Sequence, residues 1–156
     1  MSQNQYFRVG AGSVIYNAAG EIALFLRTGN PTLWQLQQGG RDPNETTEET
    51  LWRELREETG IQQTNIEKVD LYPDWLLYEY HDQIRPKLND QNCVGQIHKW
   101  YFLKLKPGVL IDLKNATDKE FSEVKWSSFQ EVLRDSNNFK YPVYKKLAEY
   151  FTTHIS

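Results

Sequence analysis

Glu54, Glu57 and Glu58 stand at i, i+3 and i+4, flanked by Arg53 and Arg56. On a helix, at about 100° per residue, their side chains fall within an arc of roughly 100°. Like charges at these spacings repel mildly. In the C-terminal half of a helix the macrodipole also disfavours them. Glu48 and Glu49, one turn after Thr46, sit where acidic residues are stabilising and need no functional explanation. The segment 45–58 holds six glutamates against two arginines, a local charge of −4, so the rest of a chain of net charge −3 carries +1. A solvated acidic face is the plain reading. The chemical reading is that a hard divalent cation relieves the conflict. Mg²⁺ takes oxygen ligands and is often held by a few carboxylates together with substrate phosphates. The helix is therefore a candidate metal site for phosphate chemistry.

The elements that position these carboxylates can be read from the pattern around them. Thr46 with Glu49 three residues on is a capping box, and Gly60 is a C-terminal stop, so a helix is predicted between them. Leu51 and Leu55 lie on the adjoining face, which puts the carboxylate arc at the edge of the core. Strands are predicted at 8–16 and 21–27, joined by the turn 17–20 as a hairpin. Gly29, Asn30 and Pro31 break the pattern before a short apolar–polar run at 33–38. Further strands are predicted at 66–72, 75–81, 97–105 and 121–126, with a polar loop from 82 to 95. Helices are predicted at 127–134 and 141–152, the latter pairing Tyr144, Leu147, Ala148 and Phe151 at helical spacing. Trp52, Trp100 and Trp126 are expected in the core. The mixture implies an α/β or α+β layered domain, read as a single domain over 1–156.

Composition narrows the function classes. The chain is 39% hydrophobic and 25% charged, an ordinary globular balance. No run approaches the roughly 18 apolar residues of a membrane span, and the opening MSQNQYFRVG predicts no signal peptide. A single cysteine, Cys93, excludes an internal disulfide framework and suits a reducing, cytoplasmic setting; in its polar loop it reads as a bystander thiol. His81, His98 and His154 lack zinc-ligand spacing. A net charge of −3 argues against broad electrostatic binding of nucleic acid.

The run Gly39, Glu45, Arg53-Glu54-Leu55, Glu57-Glu58 and Gly60-Ile61 resembles the complete Nudix box, over residues 39–61. The resemblance implies a Nudix-type α/β/α sandwich with a mixed β-sheet between helices, and hydrolysis of nucleoside diphosphates linked to another group. It implies Gly39, Glu54, Glu57 and Glu58 as ligands of Mg²⁺ or Mn²⁺, with Arg53 orienting the loop through Glu45. Glu54, Glu57 and Arg53 are the implied catalytic set, Glu54 being the favoured water-activating base. Outside the box, 34–40, 74–78 and 95–102 resemble the bacterial RNA pyrophosphohydrolase and diadenosine-polyphosphate hydrolase branch. That likeness implies Glu120 as a further metal ligand and Arg8 and Arg27 as phosphate holders, a role that suits guanidinium groups. Tyr78 and Lys99 are further phosphate candidates. Phe139 and Lys140 would stack on and hydrogen-bond the first base. The expected substrate is a 5′-triphosphorylated RNA end, cut to a 5′-monophosphate in a step that would promote RNA decay; the alternative is a dinucleoside polyphosphate. A catalytically silent nucleotide-binding module is a third reading. Gln37 departs from that branch, which usually has proline there, and the expected consequence is for loop rigidity rather than chemistry.

Overall fold

Tyr6–Tyr16 (β1) is the strand on which the sheet is built, and its second half is buried on both faces, as a central strand requires. The computed structural model describes residues 4–81, 92–136 and 139–156. The remaining strands are β2 (Ile22–Arg27), β3 (Trp34–Gln35), β4 (Gln37–Gly40), β5 (Ile66–Leu71), β6 (Leu76–Glu79), β7 (Cys93–Leu105) and β8 (Phe121–Ser127). The helices are α1 (Thr47–Thr59), α2 (Phe129–Asp135) and α3 (Tyr141–Tyr150), the last continued by a π turn at Phe151–Ile155.

Along one edge β1 pairs in parallel with β7, from Tyr6 opposite Cys93 to Tyr16 opposite Lys104. Along the other it pairs antiparallel with β4, Gly10 opposite Gly40 and Ser13 opposite Gln37. The expected β1–β2 hairpin is therefore only a corner. Its turn forms, with Asn17 Oδ1 accepting from Ala19 and Glu21 N–H, but the strands meet at the single pair Tyr16–Ile22. β4 already occupies that edge of β1, so β2 leaves to pair with β8 and β3. β5 and β6 run in succession along the outer edge of β7. The sheet is mixed, parallel at β1–β7 and antiparallel at its other pairings.

Helices cover both faces, giving the α/β/α sandwich. On one face α1 inserts Leu51 and Leu55 among Ala11, Ile15, Phe25 and Leu103. Burying each leucine contributes roughly 1.5–3 kcal/mol. On the other, α2 and α3 bring Val132, Tyr144 and Leu147 against Trp100 and Phe102. Gly12 makes this packing possible, since a Cβ there would lie 2.6 Å from the Trp100 ring.

Some expectations fail locally. Trp126 is 37% exposed rather than in the core. Cys93 is buried at the start of β7 rather than in a loop, because β7 begins four residues before its predicted start at 97. Most of the predicted polar loop, 82–91, lies outside the described residues. Among the described residues, no helix is long and apolar enough to cross a membrane.

Candidate active site

The local sequence fixes α1 at both ends. The Thr46 side chain accepts from Glu49 N–H while the Glu49 carboxylate accepts from Thr46 N–H, a closed capping box. Gly60 ends the helix at φ 78° and its N–H donates to the Arg56 carbonyl, a left-handed cap that glycine adopts without strain. Thus anchored, the helix holds Arg53 over the β4–α1 loop. Arg53 Nε and Nη2 donate to the two oxygens of Glu45 at 2.6 and 2.9 Å. Nη2 also donates to the Gly40 carbonyl at 2.9 Å, and Nη1 to Glu54 at 2.8 Å and Glu57 at 3.2 Å. This two-pronged guanidinium contact holds the Glu45 carboxyl down to about 2.

Beyond Arg53 the helix edge opens into a cleft of about 570 Å³. Glu54, Glu58, Asp118 and Glu120 line it with Arg8, Arg27 and Lys140, and Tyr78, Tyr80 and Phe139 provide apolar wall. Gly39 lies at the centre of the carboxylate side. A Cβ there would lie 2.3 Å from the Glu54 carboxyl carbon, so any other residue would push the Glu54 side chain out of its present position. Glu58 is buried, and its pKa is pushed far up, first by that burial and then by the neighbouring Glu54 and Glu120 carboxyls. Burial also raises Glu120, against the pull of Arg27, whose Nη1 lies 3.1 Å from Glu120 Oε1. Burial lowers Lys140 to about 8, with Arg27 adding to the effect.

The aromatic wall is braced from behind. Phe139 and Tyr78 have ring centroids 5.1 Å apart. Tyr78 in turn stacks on His98 at 5.9 Å. Burial drives the His98 pKa down to about 3, aided by Lys140 and Arg8, so its ring is a neutral prop. Gln38 Nε2 donates to the Tyr78 hydroxyl at 2.7 Å and to Gln96 Oε1 at 3.1 Å. Gln96 Nε2 donates to the Tyr80 hydroxyl at 2.6 Å.

The cleft thus gathers Arg8, Arg27, Gly39, Glu54, Glu58, Tyr78, Glu120, Phe139 and Lys140. Three expected residues are not among its lining: Arg53, which stands behind it over the β4–α1 loop, Glu57 and Lys99. The Glu57 carboxylate turns to Arg53. Lys99 lies over the Trp75 ring at 5.1 Å. Side chains alternate along β7, so with Gln96 facing the cleft, Lys99 projects from the opposite face. Asp118, Tyr80, Gln38 and Gln96 are cleft residues that the sequence reading passed over. For Tyr80 a signal existed: it stands two residues from Tyr78 and shares its face.

The oxygen-only donor set fits a hard divalent cation. Glu58 Oε2 supports that fit, since it is buried without a hydrogen-bond partner beside other carboxyls. Among the described residues, however, no three His, Cys, Asp or Glu side chains are drawn into metal-ligand geometry.

Comparison with known proteins agrees with this arrangement. The NUDIX domain model matches residues 6–147. The chain is similar to the RNA pyrophosphohydrolase of Coxiella burnetii, 34% identical over 151 residues, covering 96% of this chain and 66% of that one. The match thus spans just short of two thirds of the Coxiella protein's length. It is also similar to the RNA pyrophosphohydrolase of Shewanella pealeana, 32% identical over 152 residues, covering 97% of this chain and 87% of that one. Among solved structures, the E. coli dihydroneopterin triphosphate pyrophosphohydrolase superposes with a TM-score of 0.73 at 16% identity, covering 94% of this chain and 99% of that one. That likeness is one of fold. Helix, cleft and a match running most of the chain's length converge, and the protein belongs to the Nudix family.

Proposed function

We propose that the chain is a metal-dependent RNA 5′-pyrophosphohydrolase. One observation carries this reading: a single cleft combines carboxylates, cations and an aromatic wall, the three things a phosphorylated nucleotide end requires. Arg8, Arg27 and Lys140 hold the triphosphate, guanidinium groups matching phosphate oxygens in pairs. Phe139, braced by Tyr78, stacks on a base splayed from the single-stranded end. Glu54, Glu58 and Glu120, with the Gly39 carbonyl, are the groups that would hold Mg²⁺ or Mn²⁺. When bound, a divalent cation supplies neutralising charge for the phosphates and makes a water acidic enough to attack at neutral pH. Glu54 accepts the proton of that water as its oxygen attacks phosphorus. An anhydride P–O bond breaks, and the products are a 5′-monophosphate end and pyrophosphate or, by successive cuts, phosphates. Arg53 aligns Glu54 from behind and does not touch substrate.

The named relatives support this choice of substrate, and the family match over 6–147 supports one Nudix unit as the working part of the chain. A reducing compartment such as the cytoplasm suits the lone Cys93 thiol.

The test is kcat/KM on a 5′-triphosphorylated oligonucleotide and on diadenosine tetraphosphate, each with Mg²⁺ and with chelator. Preference for the oligonucleotide, abolished by chelation, is expected. Preference for the dinucleotide would reassign the substrate. Undiminished turnover in chelator would remove the metal-dependent reading.

A further inference from the structure

Gln37 is a buried polar residue with no part in the proposed reaction, and it lies on the same strand face as Gly39. Gly39 stands level with Glu54, whose side chain fills the place a Cβ would take. Two residues back along β4 is about 6.6 Å, and one helical turn on from Glu54 to Glu58 is about 6 Å. Gln37 therefore comes level with Glu58 as Gly39 does with Glu54. The amide is already oriented: Ser13 Oγ donates to Gln37 Oε1 at 2.6 Å in the buried β1–β4 pair, which leaves Nε2 as the free end. Gln37 Nε2 and Glu58 Oε2 are both buried, and neither makes a hydrogen bond in the structure. One is a donor and the other an acceptor. A proline at 37 would supply no such donor, and leucine would leave Glu58 facing hydrocarbon.

We propose that Gln37, oriented by Ser13, is a positioning residue that holds the Glu58 carboxylate through its amide N–H and thereby tunes the affinity of the cleft for a divalent cation. The Gln37 amide stands beside the Glu58 carboxyl, where it can act as a donor to it. Partners in this outer position orient the ligand oxygen that faces the metal, and their loss typically weakens binding by about 10–100-fold. The inference rests on the metal-dependent reading of the site.

The experiment measures Mn²⁺ binding to the full chain by the electron paramagnetic resonance signal of the free ion, without substrate. Native protein is compared with Gln37→Met, which keeps length and removes the donor, and with Ser13→Ala and Glu58→Gln. Gln37→Met is expected to weaken Mn²⁺ binding by about 10-fold. Ser13→Ala should weaken it by less, and the double variant by no more than Gln37→Met alone. In turnover, excess Mn²⁺ should restore kcat of Gln37→Met with substrate KM unchanged. Native Mn²⁺ affinity in either folded variant overturns the proposal, and Ser13→Ala carries the test if Gln37→Met does not fold. Failure of the underlying reading looks different. Native protein would then bind no Mn²⁺, or Glu58→Gln would bind it as native protein does, and the proposal would fall with it.

Discussion

Glu45 and Glu58 flank and end the same helix, are the same residue type, and are displaced in opposite directions. Glu45 is held at about 2 by the Arg53 guanidinium, with the Thr50 hydroxyl and the Asp42 N–H as further donors. Glu58 is pushed far up by burial, with the Glu54 and Glu120 carboxyls adding to the rise. The N-terminal half of α1 is thus electrostatically satisfied by the protein alone. The C-terminal half is left in conflict, and folding tolerates the conflict because the cap and Arg53 secure the other end. A region that the protein does not satisfy by itself is where an external charge has most to contribute.

The sharpest way to break this contrast is Glu58→Gln. Removing a carboxylate that holds the cation should lower kcat/KM by at least the roughly 100-fold that loss of a supporting partner costs. Stability moves the other way. The raised pKa of Glu58 means its contribution to stability is fully present below its ordinary 4.5 and is lost as pH rises. Metal-free native protein should lose stability as pH climbs above about 4.5 through this group, and Glu58→Gln should flatten that decline. Glu45 has the opposite sign. Its lowered pKa gives stability above its ordinary 4.5 that is lost as pH falls towards about 2. Thermal unfolding in chelator from pH 3 to 9 measures both slopes. Equal decline with rising pH in native protein and Glu58→Gln would end the contrast.

Arg53→Ala attacks the satisfied half. It leaves the Glu45 carboxylate without its strongest partner and frees Glu54 and Glu57. Breaking a part-buried, two-pronged contact between charged groups costs about 2 kcal/mol, and kcat should fall by about 100-fold as Glu54 loses its alignment. Arg53→Lys should rescue little, because a point charge cannot bind both Glu45 oxygens and the Gly40 carbonyl together. Full rescue by lysine would show that charge alone, not the fork, organises the loop.

How much of this was legible depended on whether the signal was local. Thr46, Glu49 and Gly60 announce a helix because caps are made within one turn, and the structure forms each of them. The facing of Glu54 and Glu58 follows from helical period alone. Gly39 was marked by the box, although its steric reason, the Glu54 side chain against its α-carbon, needed the fold. Signals that depend on pairing were hidden. The turn at Asn17–Gly20 suggested a hairpin, yet β4 competes successfully for the same edge of β1. Lys99 looked cationic and near the site, but strand parity sends it to Trp75. Gln37 looked like a loop residue because Ser13, its hydrogen-bond partner, and Glu58, the carboxylate we propose it holds, are 24 and 21 positions away in sequence. Trp126 shows the limit of composition: a large aromatic side chain on a strand can still lie partly in solvent.

The smallest effect sharpens the comparison most cleanly. Thr46→Ala removes the side-chain acceptor for Glu49 N–H and opens the capping box. Loss of such a cap costs about 1 kcal/mol, read as a shift in thermal or urea unfolding. Thr46 does not line the cleft, and Arg53 still anchors the first turn through Glu45. So kcat/KM and Mn²⁺ affinity should stay within about two-fold of native, well under the 1.4 kcal/mol of a tenfold change. A helix whose N-terminal half serves stability and whose C-terminal half serves chemistry predicts that separation. A fall in Mn²⁺ affinity in Thr46→Ala comparable to that of Glu58→Gln would mean that the two ends of α1 act as one unit, and the division argued from Glu45 and Glu58 would fail.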